Sequence, residues 1–419
     1  MPYAVMARPS RGVLGARFPA MVRGVVAIFW YGAQTYFAST AVALAFNAAL
    51  GSPQTGSFLG LDAIGWVSYV IVALIQVWLF TRGIGTIAKF LNFAGPAVYV
   101  VMTVLLIVIW VRAGSDLLPA VGTIFSNQDV TGWAAISAFV GVVGTMVAYF
   151  AAVIINFGDF SRFSKTERSM RIGNFTGLPI SLAFFTFLSL FITAGAYVVF
   201  QGGTGEPLDN PTDIVAQTES VILAIVAAIT FLLATVGINL VANFIPTVGI
   251  NLVANFIPPA YDLANLAPQK ISFRTGGYIT AVIGFIIGAL WVAVIEQIGL
   301  PTFVDTLGAL LAPLYGVLIV DYYIIRRSQI STPDLFSMDP AGPYYYTRGW
   351  NLRAIAAFGV AAIFAVLTVW VPALAGLAGF AWIIGAALGG LFHWLVMRGQ
   401  ATAGAQSTQQ TTTPAAAPR

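Results

Sequence analysis

Ten long, unbroken apolar segments leave this chain one solvent it can fold in. They lie near 18–48, 62–81, 92–112, 132–157, 174–200, 217–257, 276–297, 299–325, 353–372 and 374–397. A helix needs roughly 20 mostly apolar residues to cross a bilayer. Strands that do so are about 10 residues long and alternate in polarity, so continuous runs of this kind are helices. The pattern predicts an all-α integral membrane protein. A soluble domain carries about 25% charged residues; here 8% are charged and 59% are hydrophobic. That excludes a cytosolic enzyme, a nucleic-acid-binding protein and a disordered chain. There is no Cys and a single His, His393, which removes disulfides, thiolate sites and any His-cluster metal site. No cofactor motif or phosphate-binding loop is evident.

The basic residues set an orientation. With the N-terminus in the cytoplasm, the inside loops hold 18 of the 19 Lys and Arg, and Arg112 is the exception. The outside loop 201–216 instead carries Glu206, Asp209 and Asp213. Excess Lys and Arg mark cytoplasmic loops, so the net charge of +4 reports topology, and both termini are expected inside a plasma or inner cell membrane. Residues 1–397 read as one transmembrane domain. Residues 398–419, rich in Ala, Thr, Gln and Pro, read as a disordered cytoplasmic tail.

Charge is nearly absent from the helix centres. Asp159, Asp321 and Glu219 fall near helix ends, Glu296 and Asp305 flank a short outside turn, and His393 sits near the end of the last helix. What remains at depth is neutral and hydrogen-bonding. Trp30 and Gln34 are spaced to share a helix face, as are Asn239 and Asn243. Such amides serve either as glue between helices or as a site for a flat, neutral, polar ligand, with a ring to stack on and amides that both donate and accept. Glycines such as Gly141, Gly144 and Gly237 permit close helix packing and also broken helices at transporter sites.

Four ordered motifs carry a family resemblance. They are Phe29 to Thr35 (FWYGAQT), Asn156 to Phe163 (NFGDFSRF), Asn239 to Asn243 (NLVAN) with Pro259 to Pro268, and Asp321 to Arg327 (DYYIIRR) with Asp334-Leu335-Phe336 and Gly349-Trp350-Asn351. Together they resemble the nucleobase–cation symporter-1 family of hydantoin, allantoin, uracil and cytosine permeases, from about Pro2 to Met397. The resemblance implies a leucine-transporter-like fold of five-plus-five inverted repeats within twelve helices, with substrate bound near the midplane. It implies a secondary transporter importing a neutral nucleobase-like or ureide compound by alternating access. Trp30 is then the stacking ring, Gln34 and Asn243 the hydrogen-bonding amides, Asn239 their neighbour, and Phe150 stands where some members have a second Trp. Asp159 and Arg162 belong to the cytoplasmic helix end and its gate.

Three departures stand out. About ten of the twelve helices are present, and the segment 18–48 matches the family's third. The positions that match the family's sodium site are Ala234, Gly237 and Ile238, two of which replace hydroxyls with side chains lacking oxygen, so sodium is disfavoured as coupling ion; proton coupling and facilitated entry are the alternatives, and the sequence shows no obvious proton carrier. Residues 235–246 recur identically as 247–258. Twelve residues add about 18 Å of helix and a turn of about 120°, so both Asn pairs cannot fill one site. The first copy continues its helix, whereas Pro246 precedes the second, and Asn243 is therefore preferred over Asn255. A truncated, non-transporting remnant and a membrane-embedded enzyme are the competing readings.

Overall fold

A computed structural model describes residues 1, 3–50, 56–126, 131–162, 164–205, 207 and 251–398. Its principal helices are α1 (Arg17–Leu50), α2 (Ala63–Arg82), α3 (Ile84–Ala113), α4 (Leu117–Ser126), α5 (Gly132–Tyr149), α6 (Glu167–Phe175), α7 (Ser181–Gln201), α8 (Ile257–Leu266), α9 (Phe273–Ala289), α10 (Leu300–Ile319), α11 (Leu352–Trp370) and α12 (Ala381–Met397). Among the described residues, seven stretches are long and apolar enough to cross a bilayer, including Ala63–Arg82, Gly132–Tyr149 and Leu300–Ile325. The described residues contain isolated bridges but no β-strand.

Several helix starts are written in the sequence. The side chains of Asp62, Thr166, Ser272 and Asn351 accept from the backbone N–H groups of Gly65, Ser169, Thr275 and Ala354, which satisfies donors that the first turn leaves open. Gly83 and Gly202, with φ of 85° and 62°, end α2 and α7 in a conformation that costs a Cβ-bearing residue more.

Helix α1 is the axis of the molecule. One side meets α2, α8 and α9, and the other meets α5 and α10, while α10, α11 and α12 form a second packed group. Tyr31 of α1 lies edge-on to Phe256, 4.9 Å between centroids. Small residues set the spacing. A Cβ on Gly316 of α10 would stand 1.9 Å from the carbonyl oxygen of Ala386 in α12. Gly316→Leu is accordingly expected to force the pair apart, since overpacking costs typically about 1–3 kcal/mol. Gly359→Ala in α11 meets nothing within 4 Å and serves as control. Heated size-exclusion profiles should show a clear loss for Gly316→Leu alone; equal profiles would remove the close contact as a stabilising feature.

The spans depart from the apolar runs in three places. The run near 132–157 is interrupted at Phe150 and Asn156, both with ψ of 3°, which separates α5 from the short helices Ala151–Ile155 and Phe157–Ser161. The run expected to end near 257 continues through a π-helix at Asn251–Phe256 into α8 as far as Leu266. Asp305, read as flanking a turn, lies inside α10 and is 4% exposed; the turn is earlier, at Gly299 with φ of 79°. Interruptions at membrane depth are tolerated where protein or a cavity covers the backbone.

Candidate functional site

Three functional candidates follow one line on α1. At 100° per residue, Arg23, Trp30 and Gln34 project within about 40° of one another. Arg23 lies about 10 Å along the axis from Trp30. The sequence pattern thus aims a cation, a ring and an amide at the same neighbours.

Trp30 is buried and sits edge-to-face against Tyr149, 5.0 Å away, and Phe303, 5.3 Å away. Phe150 reaches this cluster through Tyr149, at 5.1 Å, so the interrupted end of α5 supplies two adjacent rings and α10 a third. Trp291 closes the far side against Phe303, at 5.2 Å. The result is an aromatic wall on one flank of Gln34.

The other flank is a chain of amides. Asn255 Nδ2 donates to Gln34 Oε1 at 3.0 Å and to Asn251 Oδ1 at 3.1 Å. Asn251 Nδ2 lies within hydrogen-bonding distance of the Tyr31 carbonyl oxygen, Thr35 Oγ1 and Gln76 Oε1, at 3.0, 3.2 and 2.9 Å. Gln76 Nε2 donates to Thr35 Oγ1 at 3.2 Å. Asn251, Thr35 and Gln76 are fully buried. A buried amide without partners is costly; this network satisfies them and holds the π-helix at 251–256 against α1 and α2. Its outermost pair, Gln34 and Asn255, adjoins the aromatic wall.

Of the expected site residues, Trp30, Gln34 and Phe150 are gathered at one place. Asn239 and Asn243, and the positions Ala234, Gly237 and Ile238, lie outside the described residues. Within the described part of the repeat, Asn251 and Asn255 of the second copy contact α1. Asn255 stands opposite Gln34 through packing between helices, a contact that the helical continuity argued from Pro246 does not address. Thr35, the last residue of the first motif, and Gln76 carry no sequence signal of their shared contact, because one polar residue in an apolar run has no pattern of its own.

Asp159 and Arg162 occupy a helix end, as expected, but the centre there is Arg23. It was counted among loop residues and is 1% exposed within α1. Its Nη1 donates to Asp159 Oδ2 at 2.7 Å and to Asn156 Oδ1, and its Nε and Nη2 donate to Asp262 Oδ2, the first at 2.9 Å. Asp159 Oδ1 also accepts from the backbone N–H of Tyr3 at 2.9 Å. One guanidinium therefore ties α1, the helix Phe157–Ser161 and α8 together. Arg162 Nε donates to the carbonyl oxygen of Asp159 at 3.2 Å, and its guanidinium lies over Tyr261. Arg8, Arg17, Arg23, Asp159, Arg162 and Asp262 line a cavity of about 380 Å³ at this end.

A second polar cluster closes the far end of α10. Asp321 accepts from Arg326 Nε at 2.7 Å and pairs with His393 Nε2 at 3.0 Å. His393, near the end of α12 as the sequence indicates, is fully buried. Arg326, just beyond the span, is held in its charged form by Asp321 and Tyr346 and donates to the Pro9 carbonyl oxygen and to Tyr346. This explains the Asp321 to Arg327 motif as a clamp between α10, α12 and the N-terminal turns. No group of three His, Asp or Glu suited to a metal occurs among the described residues.

An all-helical, multi-pass architecture with interrupted helices around a central aromatic and amide site defines a membrane transporter of the inverted-repeat class. The fold is that of Mhp1, a nucleobase–cation-symport-1 family transporter. Its closed conformation with bromovinylhydantoin bound superimposes at a TM-score of 0.66 and 22% identity, over 96% of this chain and 80% of that one. Its inward-facing conformation gives 0.63. The family of permeases for cytosine/purines, uracil, thiamine and allantoin matches residues 1–396, and the chain belongs to it. Relatives include the allantoin permease of Bacillus subtilis, 32% identical over 408 residues, 95% of this chain and 78% of that protein. The purine-uracil permease of Arabidopsis thaliana is 28% identical, over 94% of this chain and 64% of that protein. The hydantoin permease of Microbacterium maritypicum is also 28% identical, over 87% and 69%.

Proposed function

We propose that this permease imports a flat, neutral heterocycle of the allantoin, uracil, hydantoin or cytosine class by alternating access, with the Trp30 ring as its stacking surface and Gln34 and Asn255 as its hydrogen-bonding amides. The observation that carries the reading is the Gln34–Asn255 pair beside the aromatic wall of Trp30, Tyr149 and Phe303. Rings with amide and imide edges match a site that offers one apolar face and groups that both donate and accept. Fixed charge would be a poor match, and Trp30 and Gln34 have none beside them among the ion pairs described.

Uptake of radiolabelled allantoin, uracil, hydantoin and cytosine into cells making the full chain tests this. Saturable uptake of at least one is expected. Trp30→Ala should reduce affinity roughly five- to 150-fold, the equivalent of about 1–3 kcal/mol of stacking, with unchanged membrane insertion. No saturable uptake across the four would sink the substrate class, and unaltered uptake in Trp30→Ala would remove the ring from the site.

Sodium is not the coupling ion in this reading. Relative to Asn243 the family's ligand positions are Ala234, Gly237 and Ile238, and relative to Asn255 they are Pro246, Gly249 and Ile250. Neither set supplies a side-chain oxygen, and hard cations need several oxygen ligands. The distribution of Lys and Arg supports a cytoplasmic position for both termini. Uptake that strictly requires Na⁺ would overturn the first of these statements, and protease cleavage of the tail from outside intact cells the second.

A further inference from the structure

Three described aspartates are buried to within 5% exposure, and one of them differs from the others. Asp262 is paired with Arg23, and Asp321 is paired with Arg326 and His393. Asp305 has no ion pair among the described residues, and its Oδ1 has no hydrogen-bond partner there. It lies in the second turn of α10, among the buried residues Phe303, Val304, Leu307 and Gly308. Among the described residues, its side chain pairs with that of Thr145 on α5. The two helices touch closely here, because a Cβ on Gly308 would stand 2.4 Å from that of Ala148.

The position is one helical turn from the candidate site along α5: Thr145 stands four residues before Tyr149, on the same face, and Tyr149 is one of the rings against Trp30. An isolated carboxylate in such surroundings is expensive and neutralises itself by taking a proton. Ionisable groups kept at membrane depth are functional-site candidates, including relays for protons. The ionisable groups on the packed elements are Tyr149 on α5, Arg17, Arg23, Tyr31 and Tyr36 on α1, Arg353 on α11, His393 on α12, Glu296 in the preceding turn, Tyr315 on α10 itself and Asp321 just beyond it. None forms an ion pair with Asp305. Asp321 and its partners lie about 24 Å further along the helix.

Resting on the transport reading above, we propose that Asp305 is the proton-binding residue that couples this permease to a proton gradient. One proton adds to the free Oδ1 from the side where protons are abundant, giving a neutral acid that the apolar surroundings accept. The same O–H bond breaks when water reaches the carboxyl group from the other side. One proton crosses per cycle, with no change in oxidation state, and a neutral carrier site moves with substrate in place of the oxygen-lined sodium site that the sequence lacks.

The test uses the full chain purified into sodium-free liposomes, as wild type, Asp305→Asn and Asp305→Glu. The infrared spectrum should show a carboxylic acid C=O band at neutral pH that Asp305→Asn removes. With allantoin as probe, the wild type should accumulate about tenfold per unit of inward pH gradient, the limit for one proton. Asp305→Asn should lose that accumulation while continuing to exchange labelled for unlabelled allantoin, and Asp305→Glu should recover it in part. A band that is absent from the wild type, or that survives in Asp305→Asn, overturns the assignment. So does gradient-driven accumulation equal to wild type in Asp305→Asn. Failure of the wild type to exchange any of allantoin, uracil, hydantoin or cytosine sinks the substrate class instead, and the infrared band then decides Asp305 as a proton site by itself.

Discussion

Arg23→Met is expected to be the most damaging single change in the molecule. It leaves Asp262, 5% exposed, and Asp159 facing a space without a cation, and it leaves Asn156 without its partner. Removing one partner of a buried ion pair costs about 3–5 kcal/mol, against total stabilities of about 5–15 kcal/mol. Purification in mild detergent should give little monodisperse protein, and what survives should aggregate earlier on heating. The converse is equally specific. Exchanging the whole cluster, as Arg23→Met with Asp159→Asn and Asp262→Asn, removes the uncompensated charges and should restore most of the yield, since apolar or neutral replacements of complete buried clusters are often tolerated. Parental stability in Arg23→Met would mean that the three-way tie between α1, Phe157–Ser161 and α8 contributes nothing.

The second large effect concerns the duplicated segment. Asn251→Leu withdraws the donor that reaches the Tyr31 carbonyl, Thr35 and Gln76, and each buried group left unpaired costs about 1–3 kcal/mol. Asn255→Ala removes only the bonds to Gln34 and Asn251. The two variants should therefore separate. Asn251→Leu lowers the amount of folded protein, while Asn255→Ala inserts normally and loses substrate affinity by about tenfold or more, the scale of one or two lost hydrogen bonds to a buried polar ligand. Radioligand binding on membranes with matched expression measures both. Damage confined to Asn239→Leu and Asn243→Ala would return the site to the first copy.

Much of this architecture is legible in the residues. Long apolar runs dictate membrane helices because the bilayer offers the backbone no other partners. Caps such as Asp62 and Ser272 mark helix starts because a side-chain oxygen satisfies a specific N–H. Trp30 and Gln34 stand out because i, i+4 spacing is a local property of one helix. Arg23 and Asp305 read as loop-side residues in the sequence for one shared reason. A residue near the end of an apolar run reads as interfacial from one dimension, and only neighbouring helices determine whether it is covered. The interruption at Phe150 escaped for a related reason, since no Pro or Gly marks it and its neighbours on α1 and α10 define its surroundings.

The sequence by itself determined the solvent, the helical class, the family and one face of the central helix, because hydrophobicity and helical period act over short stretches of chain. Only the packing of helices brings Asn255 to Gln34 and settles which of the described buried carboxylates acquire cations and which one does not. Those outcomes depend on contacts between residues up to 239 positions apart, as between Arg23 and Asp262. Identical local sequence carries no information about its partner; only packing in three dimensions supplies it.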